Sequence, residues 1–296
     1  MSDVQRAQPA EPSGAEPGAA PAPMLPHPGV RPEVRRGLLD GVYAGNIRSV
    51  LMRGLRVIAK NNWLIVLTGF FEPVFYLASM GIGMGALIGD VEYRGRAVEY
   101  AAYIAPALLA TSAMNGALYD STMNVFFKLR YAKLYDGMLA TSLGPLDVTL
   151  GEMGLALFRG LLYAAGFMGV MAIFGLIGSW TAVLALPAVL VIAFAFAAVG
   201  FAITSHVSTW QQLDFVWLAM LPMFLLSGTF FPLEVYPAWA QWAIQAMPLW
   251  HAVDLLRQLT TGILDASAWI HLAYFAAMIA LGVVIATRRV RRLFFT

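Results

Sequence analysis

The chain has 296 residues, of which 59% are apolar and only 12% charged, with a net charge of +2 and a mean hydropathy of +0.69. Soluble domains carry roughly a quarter charged residues, so this composition excludes a water-soluble globule and points to residence in a membrane. There is no cysteine, which excludes disulfides, thiolate metal sites and cysteine nucleophiles.

Residues 1–37 are rich in Ala, Pro, Gly and Glu and hold half of the chain's 16 prolines. Such a stretch buries nothing and is expected to be a disordered cytoplasmic tail, leaving 38–296 as the transmembrane domain. Residues 1–30 lack the apolar core of a signal peptide. From 43 to 60 the pattern changes. At about 100° per residue, Arg48, Arg53, Arg56 and Lys60 fall within an arc of roughly 140°. Ile47, Val50, Leu51, Leu55, Val57 and Ile58 fill the other side. This reads as a basic amphipathic helix lying along the membrane surface among lipid headgroups.

Six runs are then long enough to cross about 30 Å of hydrocarbon as helices: 63–88, 100–123, 153–174, 181–204, 213–231 and 268–287. Lys and Arg are concentrated before the first run, between the second and third, and after the sixth. The intervening loops on the other side hold only Arg94, Arg96 and Arg257. That bias places both termini in the cytoplasm, as an even number of spans requires. The expected fold is therefore an all-α membrane protein with six transmembrane helices. It sits in the inner (cytoplasmic) membrane, multi-pass, in contact with membrane lipids.

Two connections stand out. Segment 124–146 interleaves charges with aromatics (Phe126, Phe127, Lys128, Arg130, Tyr131, Lys133, Tyr135) and ends in a Gly144-Pro145 break. Positive-inside bias explains the charges but not the aromatics; an amphipathic helix docking in a partner's groove explains both. Segment 231–262 contains Pro232, Pro237 and Pro248 with Tyr236, Trp239, Trp242 and Trp250, yet stays largely apolar. Short re-entrant or interfacial helices on the outer side fit it.

Buried charge is sparse. Glu72 and Arg159 lie at comparable depths, about 14 Å into the first and third runs, and are expected to form an intramembrane ion pair, either structural or part of a polar path. Asp120, Glu152 and Asp214 lie nearer the ends and read as solvated caps. Gly81, Gly83 and Gly85 suit close helix packing rather than nucleotide binding. The three lysines follow Ala59, Phe127 and Ala132, so no phosphate-binding loop exists and nucleotide-driven work must come from another chain. His27, His206, His251 and His271 form no metal-binding array, although His251 and Asp254 share a helix face. No nucleic-acid partner is expected. A membrane-embedded lipid-modifying enzyme would need clustered acids holding a metal and a diphosphate. An ion-coupled carrier would need several midplane acids or half-site symmetry.

Phe71-Glu72-Pro73 with Tyr76-Leu77, Ile104-Ala-Pro106, Ser112-Ala-Met-Asn115, Tyr135-Asp-Gly-Met-Leu-Ala-Thr141, Gly151-Glu152 and Arg159-Gly160 resemble the nodulation-type ABC type-2 transporter permeases. Leu226-Ser-Gly-Thr-Phe-Phe-Pro232 and Met247-Pro-Leu249 extend the likeness, which covers about 43–292. The resemblance implies a transport subunit rather than an enzyme, paired as a homodimer and bound to two copies of an ATP-binding subunit that carries the ATP and Mg. The connector becomes a coupling helix and 43–60 an interface helix at the gate. The exported substrate would be amphipathic, a lipo-oligosaccharide, other glycolipid or polysaccharide, or a hydrophobic drug of the daunorubicin type. Phe215, Trp217, Met220, Met223 and Phe224 of the fifth run would line its path. Family members tend to carry Thr-Pro-Leu where this chain has Thr141-Ser-Leu-Gly-Pro145.

Overall fold

The computed structural model describes residues 46–61, 71 and 73–295. The proline-rich tail, the start of the first apolar run, Glu72 and the side chain of Lys60 lie outside the described residues.

Helix α1 (Ile47–Asn61) opens the described chain. Asp147 fixes its start, accepting from the backbone N–H of Asn46 at 3.0 Å. Its buried stripe packs on glycines. A Cβ on Gly151 would stand 2.6 Å from Val50, and one on Gly154 would stand 3.2 Å from Leu51. Val50 is thereby almost wholly buried, whereas Arg48, Arg53, Arg56 and Val57 remain exposed. The amphipathic helix is present, with part of its apolar side turned onto the protein rather than outward.

Helix α2 (Pro73–Ile88) contains Gly81, Gly83 and Gly85. A Cβ on Gly81 would meet Ala101 at 3.3 Å, whereas none of the described residues comes within 4 Å of one on Gly83 or Gly85. Among the described residues, then, the first of the three alone serves close packing. A hairpin of β1 (Asp90–Tyr93) and β2 (Arg96–Glu99) follows, with Val91 opposite Val98. It turns through Arg94 and Gly95, both at positive φ (50° and 74°), the handedness that a two-residue hairpin turn requires. An all-helical reading did not anticipate this pair.

Helix α3 (Tyr100–Tyr131) is the buried axis of the bundle. Its alanine-rich surface lets neighbours approach closely on every side. Gly116 faces Gly160 so closely that a Cβ would lie 3.1 Å from the opposite Cα. The helix runs through two wide π-type segments, Asp120–Asn124 and Phe127–Tyr131, and stops only where Lys133 adopts φ +44°. The second expected run, placed at 100–123, thus extends two turns further. After the short helix α4 (Leu134–Leu139), α5 (Pro145–Ile173) begins at the Gly144-Pro145 break. Pro145 occupies the first helical position, where its missing N–H costs nothing. Asp147 accepts from the Gly144 N–H at 2.9 Å.

Helix α6 (Trp180–His206) crosses α3 and then packs along α10 (Ser267–Phe295), where a Cβ on Gly282 would meet the Ala198 backbone at 2.7 Å. Helix α7 (Trp210–Leu226) is shorter than the expected run 213–231. Gly228 at φ +69° ends it, and Arg257 donates to the Gly228 carbonyl at 2.9 Å. Segment 231–262 then forms α8 (Ala238–Gln245) and α9 (Pro248–Thr261), two short helices as expected. Among the described residues, α3, α5, α6 and α10 are long and apolar enough to cross a membrane.

Candidate functional site

At the connector end of α3 the seven aromatic and basic residues divide into two sets. Phe126 and Tyr135 are buried, at 1% and 0% exposure, with Phe126 edge-on to Trp210 and Tyr135 stacked on Phe201. Burial, reinforced by the charge of Glu152, pushes the Tyr135 phenol well above its ordinary value. Phe127 and Tyr131 face outward at 56% and 63% exposure, stacked on each other with centroids 5.4 Å apart. Lys133 is exposed beside them. Lys128 pairs with Glu152 of α5 at 2.5 Å, and Arg130 donates twice to the Val207 carbonyl, at 2.8 and 3.2 Å, where α6 turns toward α7. The outward patch is therefore small (Phe127, Tyr131, Lys133), and its backing is bolted to two neighbouring helices.

Deeper along α3 a polar cleft of about 240 Å³ opens against α1 and α5, lined among others by Arg53, Asp120, Lys128, Glu152 and Arg159. Arg159 Nε donates to Asp120 Oδ2 at 2.8 Å, both side chains at least nine-tenths buried. Asn124 donates to the other oxygen of Asp120, and the guanidinium lies over the Tyr119 ring. Asp120 and Glu152, read from the sequence as solvated caps, are buried ion-pair partners because α3 continues past them and α1 covers them; Asp214 alone of the three is exposed. The carboxylate that meets Arg159 is that of Asp120; the expected partner Glu72 lies outside the described residues.

Between α2, α3 and α7 lies a second cleft of about 230 Å³, lined by Tyr76, Thr111, Asn115, Trp217, Met220 and Phe224 among others. Three of the five expected path residues meet there. Met223 is part-buried against the core, and Phe215, 71% exposed, lines a different, apolar groove with Ile203 and Gly282. Helical spacing accounts for the split: Phe215 lies roughly 160–180° around α7 from Trp217 and Phe224.

At the hairpin end, Asp254 of α9 accepts from Tyr93 Oη (2.8 Å), Arg94 Nη2 (2.9 Å), Gln258 Nε2 (2.9 Å) and His271 Nε2 (2.9 Å). Burial alone would raise this carboxyl; the His271 bond, the Arg94 charge and the bonds from Tyr93 and Gln258 outweigh it and hold Asp254 below the usual carboxylate range. The sequence marked Asp254 and His251 but not their partners. Among the described residues no three of His, Asp and Glu converge as metal ligands.

The helical membrane protein thus holds clefts lined by polar groups, a buried Arg–Asp pair and an outward aromatic patch. The ABC-2 type transporter profile matches residues 45–260, and the chain belongs to that family. It is 31% identical over 229 residues to the nodulation protein J of Rhizobium leguminosarum bv. viciae, covering 77% of this chain and 86% of the relative. It is 32% identical over 192 residues to that of R. leguminosarum bv. trifolii (64% and 72%), and 27% over 223 residues to that of Neorhizobium galegae (75% and 83%). The chain is thus a multi-pass ABC transporter permease, of a family that generally works with an ATP-binding subunit.

Proposed function

We propose that this permease exports an amphipathic substrate, a lipo-oligosaccharide, related glycolipid or hydrophobic drug, across the cytoplasmic membrane, driven by two copies of a separate ATPase chain. In this reading two permease copies pair, each contributes six spans, and the connector end and both termini face the cytoplasm. The short helices α2 and α7 are the first and fifth spans. The Lys and Arg distribution supports that orientation, since Arg48, Arg53, Arg56 and Lys133 lie on the connector side.

The observation that carries the proposal is the exposed Phe127–Tyr131 stack. Two aromatic rings held out of the fold at the end of the most buried helix are costly to leave in water and well suited to a partner's groove. A push on that patch passes along Lys128 to α5 and along Arg130 to the α6–α7 turn. Movement of α7 then reshapes the cleft lined by Trp217, Met220 and Phe224, whose aromatic and thioether groups adapt to varied apolar surfaces. Thr111 and Asn115 offer the same cleft neutral hydrogen-bonding groups. In this reading helix α1, docked on α5 with its arginines exposed, is the gate-side interface helix.

Co-purification tests this directly. The tagged permease, expressed with its candidate ATPase, should retain that subunit, and Phe127→Ala with Tyr131→Ala should release it while the permease remains folded. Retention of the ATPase by the doubly substituted chain would refute the assignment.

A further inference from the structure

The hairpin end contains a feature that plays no part in the coupling route proposed above. His251 on α9 and His271 on α10 present their Nδ1 atoms to each other at 2.7 Å, at 7% and 1% exposure. A contact that short needs one N–H and one lone pair. His271 Nε2 faces the Asp254 carboxylate at 2.9 Å, which at neutral pH only accepts, so that nitrogen carries a proton. Two arrangements remain: a neutral His271 accepting from His251, or a charged His271 donating to a neutral His251. Either way the pair holds at most one positive charge. Protonating both rings sets two N–H groups head to head, and the contact cannot survive.

The rings have nowhere else to turn. Tyr274 stacks on His251 at 4.0 Å, and Trp250 lies edge-on to both imidazoles at 5.0 and 5.4 Å. The pair joins the last helix of the matched family segment to α10, which lies beyond it.

We propose that the His251–His271 pair is a proton-operated latch: it holds α9 against α10 while the rings share one proton, and releases α9 when both rings are protonated. The charged and titratable groups around it do not compete in the relevant range. From the hairpin, Arg94 stays cationic and Tyr93 is pushed up by burial. On α9, Asp254 is held below the usual carboxylate range, and the Arg257 guanidinium lies over the Tyr103 ring of α3 at 3.7 Å. Asp265, bonded to Arg94, is likewise lowered, and Tyr274 of α10 is a phenol. The group left to respond as the medium turns mildly acid is His251.

Burial, and then the adjoining His271, lower His251 to about 4. Once α9 has opened, His251 regains the ordinary histidine value of about 6.5. The open form therefore binds a proton the closed form refuses, and its population rises about tenfold or more between about pH 7.5 and about pH 5.

Hydrogen–deuterium exchange of the full chain in lipid nanodiscs tests the latch. Peptides covering 248–261 are compared at the two pH values after correction for intrinsic exchange, in the wild type, in His251→Gln and in His251→Phe, which keeps a ring on Tyr274. The wild type should exchange about tenfold faster or more at the lower pH, and neither variant should show this response. No acceleration in the wild type, or the same acceleration in either folded variant, would overturn the latch. The readout is of α9 itself, so its failure is separable from any failure of export.

Discussion

Arg159 Nε donates to Asp120 Oδ2 at 2.8 Å across the interface of α3 and α5, and neither side chain is more than 9% exposed. The pair sits beside the Gly116–Gly160 crossing, where a Cβ on Gly116 would stand 3.1 Å from the Gly160 Cα. A charge so placed is stable only with its partner. Either Arg159→Ala or Asp120→Ala should destabilise the protein by about 3–5 kcal/mol. The exchanged pair, Asp120→Arg with Arg159→Asp, should recover part of that loss. Thermal unfolding in detergent measures all three; equal damage in the single and exchanged variants would mean the two groups do not act on each other.

The connector aromatics should separate into two classes. Phe126→Ala empties a packed position and should cost about 3–5 kcal/mol of stability. Phe127→Ala and Tyr131→Ala remove exposed rings and should leave unfolding within about 0.5 kcal/mol of the parent. They should nonetheless weaken partner binding by about 2 kcal/mol or more each, as central aromatic anchors do. Titration of the purified ATPase onto the reconstituted permease reads the second effect.

Docking of α1 should depend on Gly151. Any side chain there meets Val50 at 2.6 Å, so Gly151→Leu must push α1 away at a cost of about 1–3 kcal/mol. Gly137→Ala, with none of the described residues within 4 Å of the added carbon, serves as the neutral comparison. Protease accessibility of residues 46–61 should rise in the first and not in the second.

Acid should erode stability in two stages. His251 is lowered to about 4 by burial, with His271 next. Its contribution is therefore complete above the ordinary histidine value of about 6.5 and lost as pH falls from there toward 4. Asp254, held low by its donors against the cost of burial, contributes stability that is present above about pH 4, the ordinary carboxylate value, and lost below it. In melting temperature against pH, His251→Gln should flatten the first stage and Asp254→Asn the second.

Much of the architecture was readable from composition and pattern: the helical membrane class, the basic amphipathic helix and the short helices of 231–262. The failures have identifiable causes. Asp120 was placed in water because the apolar run fades at Met123, yet α3 continues to Tyr131 and carries Asp120 inside. A 3.6-residue count sets Phe127 and Tyr131 on one face, about 100° from Phe126, but it does not place Tyr135, which lies in α4 beyond the break at Lys133. Phe215 was separable in principle, since it lies across α7 from Trp217 and Phe224. The Asp254 cluster was not, because its members come from a hairpin, a short helix and the last helix, and only the fold brings Tyr93, Arg94 and His271 together.

The account rests on the Phe127–Tyr131 patch being where the ATPase engages. The chain has no native cysteine, so Phe127→Cys and Trp239→Cys each introduce a single thiol, one on the patch and one on exposed α8 near the hairpin end. Each is labelled with a thiol-reactive photo-crosslinker in membranes that also contain the ATPase. We predict a covalent permease–ATPase adduct from position 127 and none from 239; an adduct from 239 with none from 127 would contradict the account.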